Sequence, residues 1–265
     1  MSAHAATPGI VLHVPHASFA IPDVERKAFR LDDDALALEM RRMTDAYTDD
    51  LYELPAVEAT TVAFPVNRLV VDPERFTDDA EEPMSARGMG VLYTRTSHGE
   101  PLREAPAASE RARLLAAYYT PHHERLTSAV NAAIDAHGAC LVIDCHSFPL
   151  RPHPYELDQS HDRPEICLGT DAFHTPAELS AAARRIVVDA GFSVALDRPF
   201  GGALVPMAHY RLDARVAALM IEVRRDLYMN ESTGERRADF AEMRARVQEL
   251  MRQIIAAFET LMTPD

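Results

Sequence analysis

The chain has 265 residues, 47% of them hydrophobic, which is enough to bury a full core in one domain spanning residues 1–265. A formal net charge of −14 excludes nucleic acid as a partner, because no basic stripe outweighs that field, and no run reaches the ~18 apolar residues of a membrane span. Met1–Pro8 has neither the basic start nor the apolar middle of a secretory leader, and three cysteines make no disulfide framework; a cytoplasmic protein is expected, its oligomeric state left open.

Gly9–Val14 reads as the first strand, apolar on both faces and so an inner strand of a parallel sheet, ending in Pro15-His16-Ala-Ser18. In extended backbone His13 and His16 point to opposite faces, so one is expected to reach a site. His16, beyond Pro15, is the choice, and His13 is assigned to the core or to a supporting role. Asp32–Leu54 carries helical periodicity through Leu36, Leu38, Met40 and Met43, then restarts at Thr44, which is placed to cap a second helix with Asp45, Asp49 and Asp50 near its positive end. One of these acids facing inward would be a hard oxygen ligand. Val57–Phe64 and Leu69–Val71 read as strands on either side of Pro65-Val-Asn-Arg68. Asp72–Pro106 is irregular apart from a strand-like Val91–Thr94, and a segment of that kind inside a compact domain is mobile or functional. Arg68, Arg75, Arg87 and Arg95 fall in or beside it.

Ala108–His137 is the longest helical pattern, with Pro121 predicting a break near Thr120 and His122 and His123 following it. Cys140-Leu-Val-Ile-Asp-Cys-His146 reads as a strand buried on both faces, and its end delivers Asp144 and His146 to the carboxyl edge of the sheet, where open α/β folds place ligands. Ile166–Gly169 and Phe192–Leu196 are further strands around a helix over Pro176–Ala190. In the loop Arg198-Pro-Phe-Gly-Gly, Gly201 and Gly202 permit close backbone approach to a ligand. Ala217–Val223 repeats the central strand's pattern, an apolar run with one acid, Glu222, near its end. A carboxylate buried there must meet Arg224, another arginine or a cation. Arg236–Met262 closes the chain as an amphipathic helix. Strands alternating with helices give an α/β fold with a mixed, mostly parallel sheet flanked by helices.

His16, an acid near Asp45, His146 and Glu222 thus come from four separate segments. Two neutral imidazoles and a carboxylate make a catalytic zinc site with a position left for water, and a further carboxylate is needed to take that water's proton, the role that fits Glu222. A serine mechanism through Ser147 lacks the Gly-x-Ser-x-Gly elbow, and Cys145 lies inside a buried apolar strand where thiols are inert. A non-catalytic protein binding an amino-acid-like ligand would use the same arginines without the metal set. Spacing alone leaves these alternatives open.

Pro15-His16-Ala-Ser, Thr44-Asp-Ala-Tyr-Thr-Asp-Asp-Leu, Tyr118-x-x-Pro-His-His123, Val142-Ile-Asp-Cys-His-Ser147, Arg198-Pro-Phe-Gly-Gly202 and Ile221-Glu-Val-Arg-Arg-Asp-Leu-Tyr-Met229 together resemble the N-formylglutamate amidohydrolase family, in the family's order, from about residue 10 to residue 230. The resemblance implies a fold similar to that of zinc carboxypeptidases, Zn2+ as cofactor, and hydrolysis of N-formyl-L-glutamate to formate and glutamate in histidine breakdown. It implies His16 and His146 as zinc ligands and Glu222 as general base, with Asp45 completing the metal shell and Asp49 second in line. Arg68 is the expected oxyanion donor and His123 the next candidate for the base. Two positions depart from the family pattern, Ser18 where many members have glycine and Val66-Asn67-Arg68-Leu69 in place of an Asp-Val-Asn-Arg element, and the stretch after them, Val71-Asp-Pro-Glu-Arg-Phe76 through Arg87-Gly-Met-Gly90, resembles a subgroup. The substrate is accordingly an N-acyl amino acid, N-formylglutamate first, with other N-acyl amino acids or peptide and cell-wall amides as alternatives. Because the −14 charge repels an anion at long range, its carboxylates must be held by short-range donors. Arg68, Arg87, Arg198 and Arg211 are the expected donors, with Gly201, Gly202 and His123 beside them.

Overall fold

Burial at every position of Cys140–Phe148 makes that strand the centre of the molecule. The computed structural model describes residues 9–262, so Met1–Pro8 and the reading against a leader lie outside the described residues. In chain order the elements are β1 (Gly9–Val14), α1 (Asp23–Arg26), α2 (Asp33–Met43), α3 (Thr48–Leu51), β2 (Thr60–Ala63), α4 (Ala108–Leu114), α5 (Thr120–His137), β3 (Cys140–Phe148), β4 (Ile166–Gly169), α6 (Ala177–Asp189), β5 (Val194–Leu196), β6 (Val216–Arg224) and α7 (Phe240–Met262).

The strands form one sheet in the order β2-β1-β3-β6-β4-β5, parallel throughout except that β4 runs antiparallel to β6. The expected mixed, mostly parallel α/β architecture is what the chain adopts. Strands buried on both faces divide their side chains between two layers. Leu12, Leu141, Ile143, Leu219 and Ile221 pack with α6 and α7, while Val11, Val142 and Ala218 pack with α5. Asp144, His146 and Glu222 continue the α5 layer toward the carboxyl edge, since they follow Val142 and Ala218 at even spacing. A third apolar cluster, built on Phe64, Leu69, Val71, Tyr93 and Leu102, lies under the irregular segment and gives it a core of its own. Among the described residues no helix is long and apolar enough to cross a membrane.

Several local expectations are corrected. Thr44 does not cap a second helix. It ends α2, its N–H bonding to Met40 O, and the chain restarts only at Thr48 after Tyr47 takes a left-handed conformation (φ 68°). Leu69–Val71 is a buried turn rather than a strand, because the Asn67 side chain accepts the Leu69 N–H and so removes it from any ladder. Val91–Thr94 is also not a strand; the Arg103 guanidinium takes the carbonyls of Tyr93 and Val70 that a neighbouring strand would have taken. Pro121 does not break the long helix. Leu115–Tyr119 widens into a π-helical turn, with Thr120 N–H reaching back to Leu115 O, and α5 starts with the proline in its first turn, where no N–H is needed. Strand β2 begins at Thr60, leaving Val57 exposed, and α7 begins at Phe240, four residues later than its pattern suggested.

Candidate active site

The carboxyl ends of β1 and β3 and the turn after α2 bring His16, His146 and Asp45 together, all buried, with one donor atom from each within 4.8 Å of the others. Asp45 Oδ2 lies 3.1 Å from His146 Nδ1 and 3.7 Å from His16 Nδ1. Its other oxygen, Oδ1, accepts from Arg225 Nη2 at 2.7 Å. Burial pushes the Asp45 carboxyl upward, but hydrogen bonds with His146 and His16 and the charge of Arg225 outweigh it and hold the group well below the usual carboxylate range. Asp49 does not join this group. It is exposed on α3, and its side chain accepts the N–H of Asp50.

The far nitrogens of both imidazoles face carboxylates. His16 Nε2 donates to Asp72 Oδ1 at 2.9 Å, and His146 Nε2 lies 3.1 Å from both Asp144 Oδ1 and Glu74 Oε1. A donated Nε2–H leaves the Nδ1 lone pair free for a cation, the arrangement by which carboxylates orient metal-binding histidines. His16 Nδ1 is buried and makes no hydrogen bond, an orphaned acceptor aimed at Asp45. Two imidazole nitrogens, one of them the unsatisfied His16 Nδ1, and a carboxylate oxygen form a donor set that fits zinc. Burial lowers the pKa of His146, yet the charges of Glu74 and Asp144 and the hydrogen bonds of Asp144 and Asp45 raise it well above its ordinary value, so without a cation this ring is held protonated.

His16, beyond Pro15, joins the donor set with Asp45 and His146, and His13 is buried behind it as a supporting residue. His13 Nδ1 bonds Asp144 Oδ1 at 2.8 Å, and His13 Nε2 meets His122 Nε2 at 2.9 Å. Burial, with the charges of His13 and His123 added, pushes the pKa of His122 down to about 2, so His122 is a neutral ring within the core and not a surface group. A buried chain therefore runs from His122 through His13 and Asp144 to His146.

Glu222 pairs with His146 in the β3–β6 register. It meets neither arginine that follows it: Arg224 pairs with Asp226, and Arg225 with Asp45. Burial and the neighbouring Asp45 and Glu74 carboxylates push the Glu222 carboxyl up to about 8, with His146 opposing them. Arg68, also buried, is held through Nε and Nη2 by Asp72, which leaves Nη1 out of that pair.

A pocket of about 450 Å³ adjoins this cluster through Glu74 and Asp144, which line its wall and contact His146, with Gly201, Gly202 and His123 also lining it. Gly202 has φ 91°, and a Cβ on Gly169 would meet the Gly202 carbonyl, so the glycine loop packs closely on β4 while lining the pocket. His123 Nε2 donates to Pro73 O at 2.8 Å. None of Arg68, Arg87, Arg198 and Arg211 lines this pocket. Arg87 bonds the Tyr155 carbonyl, Arg198 pairs with Asp158, and Arg211 lies over the Tyr210 ring with its side chain 62% exposed. Sequence reasoning gave Asp72 and Glu74 no role and named Arg75 only among the arginines of the irregular segment. The signal was present as acids and an arginine grouped on Asp72-Pro-Glu-Arg75, directly after the buried Val70-Val71.

The N-formylglutamate amidohydrolase family model matches residues 9–229. An N-formylglutamate deformylase of Pseudomonas aeruginosa is 32% identical over 84% of this chain and 86% of its own. A solved N-formylglutamate amidohydrolase from Ralstonia eutropha shares the fold with a TM-score of 0.78 at 24% identity, covering 96% of this chain and 95% of that one. A solved protein from Agrobacterium tumefaciens does so with a TM-score of 0.65 at 22% identity, covering 96% of this chain and 93% of that one. With the family pattern running through nearly all of the described chain, the protein belongs to the N-formylglutamate amidohydrolase family.

Proposed function

We propose that this protein is a zinc-dependent amidohydrolase of the cytoplasm that cleaves the formyl amide of N-formyl-L-glutamate, releasing formate and glutamate. The observation that carries the reading is the convergence of His16, Asp45 and His146 with Glu222 beside them, next to a pocket whose wall residues Glu74 and Asp144 contact His146. Family membership supplies the substrate, and three free buried thiols suit a reducing compartment.

His16, Asp45 and His146 would hold the zinc ion, which when bound supplies Lewis-acid polarisation of the scissile carbonyl. Glu222 takes the proton of the attacking water and delivers it to the leaving amine; its desolvated position and its upward-shifted carboxyl suit a group that must both accept and return a proton near neutrality. Arg68, fixed by Asp72, offers its remaining guanidinium nitrogen to the oxyanion that develops at the carbonyl. The buried chain through Asp144 and His13 holds His146 in one orientation, so no reorganisation is needed during reaction.

The test is incubation of the purified protein with N-formyl-L-glutamate, following formate and glutamate, with zinc measured on the same sample. About one zinc per chain, lost together with product formation in His146→Ala, is expected. Absence of product with a full zinc complement would remove the substrate assignment, and turnover in metal-stripped protein would remove the metal.

A further inference from the structure

Resting on that reading, we propose that Arg75 is the residue that reads a carboxylate of the amino-acid substrate. The acidic, basic and imidazole side chains lining the pocket beside the histidine cluster are Glu74, Glu81, Asp144, His123 and Arg75. Three are carboxylates, which repel an anion. His123 already donates its Nε2 hydrogen to Pro73 O, and burial lowers its pKa, so it stays neutral. A substrate carboxylate entering this pocket is left with one fixed cation.

Arg75 is built to serve as that cation. Its Nε is buried and makes no hydrogen bond, and its ion pair with Asp72 is long, 3.8 Å, whereas Arg68 takes the same Asp72 oxygen at 2.8 Å. Asp72 is therefore already committed to Arg68, and the Arg75 guanidinium keeps donors available, with 23% of its side chain exposed. The backbone around it is pinned on both sides. Tyr119 donates its hydroxyl to Arg75 O at 3.2 Å, His123 donates to Pro73 O, and Phe76 N–H donates to Glu82 Oε2 at 3.1 Å. Glu74, the residue before it, lines the pocket and also bonds His146, so the pocket that holds Arg75 adjoins the histidines. Planar guanidinium donors with a fixed approach suit a carboxylate held through two parallel bonds.

The experiment compares kcat/KM for N-formylglutamate, N-formylglutamine and N-formylisoglutamine in the wild type, Arg75→Ala and Arg75→Lys, each shown to be folded by its thermal transition and zinc content. N-formylglutamine replaces the side-chain carboxylate by an amide, and N-formylisoglutamine replaces the α-carboxylate. In the wild type one of these amides is expected to be poorer than the diacid by roughly 10- to 100-fold, and Arg75→Ala should abolish that difference while leaving the other intact. Which difference collapses identifies the carboxylate read. Arg75→Lys, which keeps the charge and loses the fork, should retain part of it. If all three substrates fall by the same factor in Arg75→Ala, Arg75 only supports Asp72 and the proposal is overturned. Failure of the wild type to cleave any of the three would instead remove the activity assigned above, so the two failures are separable.

Discussion

Glu222 and His146 are direct neighbours across β6 and β3, in register, so both side chains leave the sheet on the same face and at the same height. That puts an acid whose carboxyl is pushed up to about 8 beside one of the three convergent donors. Glu222→Gln keeps the shape and removes the basicity. Zinc content should be unchanged, with kcat for N-formylglutamate lower by roughly 10²–10⁴-fold. Steady-state kinetics beside metal analysis decides the matter, and a fully active Glu222→Gln would transfer the base role to His123.

The same shift makes a statement about stability in the metal-free protein. Between the ordinary carboxyl range and about 8 the folded state holds a proton on Glu222 that the unfolded chain releases. Stability from this group is therefore present at low pH and is lost as pH rises through that window. Glu222→Gln, which cannot ionise, should melt progressively higher than the wild type as pH increases from 5 to 8 in chelator-treated samples. Zinc should narrow the gap, because a nearby cation favours the ionised carboxylate. A constant difference across that pH range would show that the group does not change its proton count on unfolding.

Strands β1, β3 and β6 were legible because an apolar run buried on both faces needs no period to identify it, and polar residues at the ends of such runs stand out. His146 and Glu222 were found in that way. The partners of the arginines were not legible, because an arginine's position in sequence does not say which carbonyl or carboxylate its long side chain meets. Arg87 and Arg198 are held by Tyr155 O and Asp158, partners 68 and 40 residues away. Asp72 and Glu74 were hidden for a different reason: they lie on turns without periodicity, pinned by Asn67, Val91 and Arg103, contacts that only tertiary packing reveals. The π-helical turn before Pro121 lies where α4, packed on the cluster under the irregular segment, gives way to α5, packed on the central sheet.

Asp72 joins His16 to Arg68, accepting from His16 Nε2 on one oxygen and from Arg68 and Tyr93 on the other. Asp72→Asn should turn the His16 ring out of its fixed orientation and weaken zinc binding by roughly 10- to 100-fold. Asp45→Ala should cost more, since it removes a donor atom outright, and Asp49→Ala should leave zinc content unchanged because that side chain is on the surface. Competition against a chelator of known affinity ranks the three. Equal losses in Asp45→Ala and Asp49→Ala would break the assignment of Asp45.

Arg225 reaches from the end of β6 to Asp45 Oδ1 at 2.7 Å, with both side chains almost fully buried, and the same guanidinium bonds Ser147 Oγ and the Arg42 carbonyl. The pair ties the turn after α2 to the ends of β3 and β6, and it leaves Oδ2 of Asp45 as the oxygen facing the two histidines. Removing one partner of a buried pair strands the other without a counter-charge, so Arg225→Met should lower stability by about 3–5 kcal/mol in the metal-free protein. A zinc ion on Asp45 would replace part of the missing positive charge, so the loss should shrink when zinc is added, even though Asp45 is then held less firmly and zinc affinity falls. Denaturant melts with and without zinc measure both effects. A loss of stability that zinc leaves untouched would mean that Arg225 acts through its bonds to Ser147 and Arg42 alone, and that Asp45 does not face the ion.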